Sequence, residues 1–234
     1  MSSKTRFTNL GMIDYKQAWD FQEERFQEVV AAKLNKRESE GEKKPSLHHL
    51  IFCQHPHVYT LGKSGDQTNL LITDELLTKI GATFYKINRG GDITYHGPGQ
   101  IVGYPIFDLE EMHLGIKEYI HNLEEAIIQT LGQLNIVATR LDGATGVWLD
   151  AADPTRARKI CAIGVRASRF VSMHGFALNV NTNLDYFRYI NPCGFIDKGV
   201  TSIEKELGAP QSLEKVEVFL KKNMEEIFNL GFER

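Results

Sequence analysis

Apolar positions recur along the chain with two periods. Between residues 115 and 134, Ile116, Ile120, Leu123, Ile127, Leu131 and Leu134 fall three or four apart, which predicts a helix with one buried stripe. Residues 212–230 carry a second amphipathic pattern. A third helix is predicted through Trp19, Phe26 and Val30 to about Lys36, opened by Asp14 with Gln17 three residues later in the manner of a capping box. The charged run RESEGEKKP at 37–45 should end it as an exposed loop. Residues 73–80 read as a short helix capped by Thr73 and stopped by Gly81. Strands are predicted at 47–53, 58–61, 83–88, 101–107, 136–140, 146–149, 159–166 and 171–179. Two long helices beside many strands that are often adjacent in sequence predict an α+β fold with a largely antiparallel or mixed sheet. The expected organisation is a single domain over 1–234.

One segment breaks the pattern. RGGDITYHGPGQIVGYPIFDL, residues 89–109, places five glycines and two prolines in a stretch that otherwise reads as strands. Glycine weakens a strand interior, so Gly90, Gly91, Gly97, Gly99 and Gly103 point to tight turns or to close approach by something other than a side chain. Arg89, Asp92, Thr94, Tyr95 and His96 lie between them, more polar and aromatic groups than an idle hairpin needs, and the segment reads as a ligand site. It is not a phosphate loop of the usual kinds, because no Gly-Lys-Ser/Thr closes it and no G-x-G-x-x-G opens a helix after it.

Composition narrows the class. With 42% hydrophobic and 24% charged residues and a net charge of −3, nothing global steers the chain to nucleic acid or to an anionic membrane. The N-terminus has no apolar h-region, and no window approaches the ~20 apolar residues of a membrane span, so a cytoplasmic placement is expected. Between Pro154 and Phe170 the positive residues Arg156, Arg158, Lys159, Arg166 and Arg169 occur without an acidic neighbour, either a docking patch for an acidic partner or a solvated strand face. Cys53, Cys161 and Cys193 are an odd set with no metal-site spacing, so reduced thiols and no metal centre are expected.

Cys193 follows the Asn191-Pro192 turn signal and precedes Gly194, which places its thiol on a loop. Cys53 lies in an apolar strand and reads as core filler. Lys159 opens the strand KICAIGV, either as its wet end or desolvated beside a thiol, where ammonium and thiolate would form a dyad. Cys161 shares a strand face with Lys159 and is the rival nucleophile. His96 and His174 are further candidate bases, or hydrogen-bonded structural histidines.

The blocks RGGDITYHGPGQIVGYPIFDL, KICAIGVR, HGFALNVN and NPCG, in this order, closely resemble the octanoyltransferases of lipoate synthesis, and the likeness extends to HPHVYTLGKSG and DGATGVWL. The resemblance implies a fold similar to the catalytic domains of biotin and lipoate protein ligases. It implies transfer of octanoyl from octanoyl-acyl carrier protein to a lysine on the lipoyl domains of 2-oxoacid dehydrogenase E2 subunits or on the glycine-cleavage H protein, without a cofactor. Carried over onto matching positions, Cys193 would hold the acyl group as a thioester and Lys159 would lower its pKa and act as general acid and base. Arg89, Gly90, Gly91, Asp92, Ile93, Thr94, Tyr95 and His96, with Ala162, Ile163, Gly164, Gly175, Phe176 and Ala177, would line the acyl site. Positive charge at Arg158 and Arg166 would suit the acidic carrier protein.

Two other functions use the same residues differently. An ATP-dependent lipoate or biotin ligase would need an adenylate-binding lysine and not Cys193. A non-catalytic module would hold an acyl chain or carrier protein without any covalent intermediate.

Overall fold

The structure, a computed structural model, describes residues 3–38, 46–191 and 199–233. In chain order the elements are β1 (Ser3–Met12), α1 (Tyr15–Glu38), β2 (His48–Gln54), β3 (Val58–Leu61), α2 (Asp74–Lys79), β4 (Thr83–Lys86), β5 (Ile93–His96), β6 (Gln100–Ile106), α3 (Ile116–Gly132), β7 (Val147–Leu149), β8 (Arg158–Ser168), β9 (Val171–Asn179), β10 (Gly199–Val200), α4 (Ile203–Leu207), α5 (Leu213–Phe228) and β11 (Leu230–Phe232). Single 3-10 turns lie at Gln67–Asn69 and Leu184–Tyr189.

Among the described residues, eight strands form one mixed sheet in the order β10, β8, β9, β6, β2, β1, β11, with β7 also on β8, and β4, β3 and β5 form a second, smaller sheet. The β2–β6, β6–β9, β8–β9 and β7–β8 ladders are antiparallel, while β1 runs parallel to β2 and β11, and β10 parallel to β8. The expected α+β class with a largely antiparallel, mixed sheet is what the chain forms.

Helices cover both faces of the large sheet, which is why β2 reads as a continuous apolar run and every residue of β9 is buried. α3 and α5 pack on one face, burying Leu123, Ile127 and Leu131 of α3 and Leu220 and Met224 of α5 with Leu50, Phe52, Phe176 and Leu178. On the other face α1 covers Ile51, Cys53, Val102 and Ala177 with Ala18, Phe26, Val29 and Val30. Asp14 caps α1 as its sequence suggests, its Oδ1 accepting the N–H groups of Lys16 and Gln17 at 2.8 and 3.2 Å. Ser212 and Thr73 cap α5 and α2 in the same way.

Three expectations need correction. Residues 136–140 are not a strand: only the isolated bridge Thr139–Trp148 forms, because Asn135 turns through φ +60° and Arg140 is drawn to Glu124 and Glu125. β1 and β11 carry too few apolar residues to announce themselves and exist through long-range pairing, Ser3 opposite Leu230 and Phe7 opposite Leu50. α1 continues to Glu38, and the remainder of the charged run, 39–45, lies outside the described residues.

The glycine-rich segment is also built differently from the expectation. A Cβ on Gly97 would strike the Tyr95 hydroxyl, and one on Gly103 would strike the Phe176 ring, so side chains of the protein itself fill two of the five positions. Gly99, at φ +80°, turns the chain against the Asn181 carbonyl. Only Gly90 and Gly91 face a cavity. Gly103→Ala is therefore expected to destabilise the fold by ~1–3 kcal/mol through overpacking, measured as a lower urea midpoint at unchanged m.

Candidate active site

The N-terminal half of β8 is held on both sides. Lys159 pairs with Trp148 of β7 and with Val200 of β10, and its carbonyl accepts the Thr201 N–H at 2.9 Å. This double pairing orients the Lys159 side chain, which is half-buried, toward a cavity of about 530 Å3. Its Nζ stands 4.7 Å from the centroid of the Trp148 ring, a cation–π contact with an aromatic that is 2% exposed. Of the two sequence readings, the wet strand end does not describe Lys159, which is half-buried and packed against Trp148; the Cys193 thiol of the other reading lies outside the described residues.

The opposite wall is the turn between β4 and β5. The Arg89 guanidinium donates from Nη2 to the Thr60 carbonyl at 2.7 Å and to Thr60 Oγ1 at 3.0 Å, and from Nη1 to the Gly90 carbonyl at 3.0 Å. The turn is laced to two neighbours through backbone bonds, Gly90 N–H to the Val165 carbonyl and Lys63 N–H to the Arg89 carbonyl. Asp92 accepts the Ile93 N–H and the Asn69 side chain at 2.6 and 2.7 Å. Small residues then open the floor: Gly164 sits against the Arg89 stem, where a Cβ would lie 3.1 Å from Cδ, and faces Gly175 across the β8–β9 ladder, beside the Ala162–Ala177 pair.

Behind these residues is a buried polar layer. His96 Nδ1–H donates to Gln100 Oε1 at 2.9 Å, Gln100 Nε2 donates to Asn179 Oδ1 at 2.9 Å, and Asn179 Nδ2 donates to the Thr201 carbonyl at 3.0 Å, a chain that runs from the glycine-rich hairpin to β10. Tyr15 stacks on the His96 ring at 5.9 Å, and the Tyr104 hydroxyl bonds His55 Nε2 at 2.7 Å. His174 Nε2–H donates to Asn88 Oδ1 at 2.8 Å, which leaves Nδ1 without a hydrogen-bond partner. Burial drives all three imidazoles down, His55 to about 4 and His96 and His174 to about 3, so they are neutral at pH 7. Of the two alternatives for His96 and His174, the geometry is that of buried, hydrogen-bonded neutral rings.

The structure gathers nearly all of the expected lining. Lys159, Arg89, Gly90, Gly91, Asp92, Ile93, Thr94, His96, Ala162, Ile163, Gly164, Gly175, Phe176 and Ala177 border the cavity. Tyr95 does not: it is buried in the core of the small sheet, where it packs on Tyr59 and Tyr186 and its hydroxyl bonds His57 at 2.7 Å. Cys161 is fully buried in the α3 core, its thiol pushed up by burial, which removes it as a rival nucleophile; Cys53 is buried filler as expected. Cys193 lies outside the described residues. The positive stretch is not a uniform patch, since Arg158 forms salt bridges with Asp150 and Glu206 at 2.5 and 2.6 Å and Arg156 meets Asp150 at 3.1 Å. Sequence reasoning missed Tyr15, Val102, Tyr104, Trp148 and Phe187, lining residues from four separate elements. Trp148, inside the DGATGVWL block, and Val102 and Tyr104, inside the 89–109 block, carried a signal that could have found them; Tyr15 and Phe187 did not.

Comparison with known proteins points one way. The model of the lipoyl protein ligase A/B catalytic domain matches residues 14–225. Octanoyltransferases from Cytophaga hutchinsonii, Parabacteroides distasonis and Bacteroides fragilis are 54, 55 and 57% identical, covering 96, 95 and 92% of this chain and 93, 98 and 93% of their own length. In fold, the chain is similar to a putative lipoate protein ligase from T. acidophilum, with a TM-score of 0.68 at 16% identity over 98% of this chain and 87% of that one. It is likewise similar to a lipoate-protein ligase A bound with ATP, with a TM-score of 0.66 at 16% identity over 100 and 88% of the two chains.

The histidine layer has a consequence for pH stability. The unfolded chain binds protons at these rings near pH 6.5, while the folded chain resists until about 3–4. Stability is therefore constant above that window and falls as pH drops through it. Urea midpoints taken from pH 7 to 4 should decline below about pH 6.5, and His174→Asn should flatten the decline.

Proposed function

Because this chain belongs to the lipoyl protein ligase A/B catalytic-domain family, we propose that it works by a ping-pong mechanism in which Cys193 carries the acyl group and Lys159 is the general acid and base. The activity is octanoyl transfer in protein lipoylation, an acyltransferase reaction. The donor is octanoyl-acyl carrier protein. The acceptors are the lipoyl domains of 2-oxoacid dehydrogenase E2 subunits and the glycine-cleavage H protein. The residues act within one catalytic domain, over 1–234, in the cytoplasm.

The observation that carries this proposal is the half-buried Lys159 ammonium at the wall of an apolar cavity, backed by Trp148 and paired in register with Val200. Phe187, before the NPCG turn, and Gly199 and Val200, after it, border the same cavity, which favours Cys193 as the thiol served by this lysine. The Cys193 thiolate attacks the thioester carbonyl, and the carrier-protein sulfur leaves with a proton from the Lys159 ammonium. In the second half the acceptor lysine attacks the enzyme thioester, the Lys159 amine takes its proton, the amide forms and the Cys193 thiolate is restored. Exchange of one thioester for another is nearly isoenergetic, and amide formation is downhill, so the chemistry needs no ATP. Backbone N–H groups at the glycine-lined wall suit the tetrahedral oxyanion, an effect often worth ~3 kcal/mol.

Intact-protein mass after incubation with octanoyl-acyl carrier protein, without ATP or acceptor, tests the mechanism. One octanoyl group on the wild type, absent from Cys193→Ser and chased off by a lipoyl domain, is the expected result. An adduct that survives the substitution, or activity that requires ATP, overturns it.

Donor docking is tested separately. Arg158 is already matched by Asp150 and Glu206, whereas Arg166 meets Glu23 only at 3.5 Å. Arg166→Glu should raise KM for the acidic carrier protein several-fold and steepen nothing in kcat, read by initial rates at low and high salt.

A further inference from the structure

One buried carboxylate stands next to the site without bordering it. Glu124 lies on α3, is 7% exposed, and is absent from the cavity wall. Its Oε1 accepts the Gly146 N–H at 2.9 Å, and its Oε2 accepts Nε of Arg140 at 3.1 Å. Arg140 is itself fixed by Glu125 Oε2 at 2.7 Å and the His121 carbonyl at 3.0 Å, so the carboxylate is rigidly aimed.

Glu124 ties down Gly146 at the entry to β7, and two groups that Lys159 touches lie there and just beyond. Gly146, at φ +124°, lies beneath the lysine stem: a Cβ there would come within 3.5 Å of both Lys159 Cδ and Cε. Two residues later Trp148 supports the ammonium, with its ring held by an Nε1–H bond to the Ala144 carbonyl at 2.8 Å. Burying a carboxylate is costly unless each oxygen is matched, and an apolar side chain would have packed α3 against the loop at lower cost.

We propose that Glu124 is a positioning residue for the transfer reaction, holding Gly146 and with it the approach to β7, so that Lys159 lies on Gly146 and over the Trp148 ring in the geometry that proton transfer needs. The inference rests on Lys159 being the general acid and base. A loosened loop would leave substrate binding largely intact while the lysine samples unproductive positions, and displacement of a catalytic group by about 1 Å is enough to cost up to ~100-fold.

The test compares Glu124→Gln, Glu124→Ala and Glu124→Asp in full-length protein, in a Trp19→Phe background that leaves Trp148 as the sole tryptophan. Gln keeps the Gly146 bond through its one carbonyl oxygen and loses only the Arg140 bond, where its Nε2 would meet another donor, so kcat should stay within about threefold of the parent and Trp148 emission should not move. Ala removes both bonds: kcat per folded protein, judged by near-UV circular dichroism, should fall about tenfold or more with KM little changed, and Trp148 emission should shift to the red. If Ala does not fold, Asp decides, because one methylene fewer cannot reach Gly146 and Arg140 together and kcat must fall at least threefold in folded protein. Equal losses in Gln and Ala, or parental kcat in folded Ala or Asp, overturn the inference. Lys159→Met measured alongside separates the two levels. Retained transfer in that variant defeats the acid–base role itself, whereas its loss beside fully active Glu124 variants defeats only the role of Glu124.

Discussion

The pairing of β8 with β9 is the constraint on which the site depends. Every residue of β9 is buried, with Phe176 and Leu178 in the core under α3 and α5 and Ala177 in the core under α1. A slip of one residue would exchange these faces, so the register is set by packing on both sides at once. That register places Gly164 opposite Gly175 and Ala162 opposite Ala177. The missing side chains leave the cavity, and the same strand, continued toward its start, delivers Lys159 to the cavity wall between β7 and β10.

Electrostatically the site is simple at neutral pH because burial has removed the competing charges. Three imidazoles around the cavity are neutral, the tyrosines Tyr15 and Tyr104 are held well above their usual range by burial, and Cys161 is held protonated in the same way. Among the described residues two cations stand at the wall, the Arg89 guanidinium bonded to Thr60 and Gly90, and the Lys159 ammonium over an indole ring. An acyl thioester carrying no formal charge suits such a surface: apolar walls accept the chain, and the cations and backbone donors face the atoms on which negative charge develops.

Legibility in the sequence followed the range of the interaction responsible. Asp14, Thr73 and Ser212 cap helices through bonds to residues two or three positions away, so local chemistry announced α1, α2 and α5. The stripe of α3 and the apolar runs of β2 and β9 report burial directly. β1 and β11 escaped because their stability lies in partners more than forty and two hundred positions away, and residues 136–140 misled because a strand-like composition met a left-handed Asn135 and a salt-bridged Arg140. The glycines of the 89–109 segment were legible as special positions but not as to what fills them, since the Tyr95 hydroxyl and the Phe176 ring arrive only after the hairpin and the β6–β9 ladder close.

The amino-acid sequence by itself determined the fold class, the starts of the capped helices and, through the resemblance that its motif blocks carry, the family and much of the cavity lining. These are properties of short stretches, and short stretches carry their own hydrogen-bonding and hydrophobic patterns. Tertiary structure alone decided that Tyr95 turns away, that Cys161 is core, that Arg158 is neutralised by Asp150 and Glu206, and that Tyr15, Tyr104 and Trp148 converge on Lys159 and Arg89. The reason is physical: which way a side chain faces, and which charge meets it, depends on strand register and on elements distant in sequence, and neither is written in the spacing of residues along one segment.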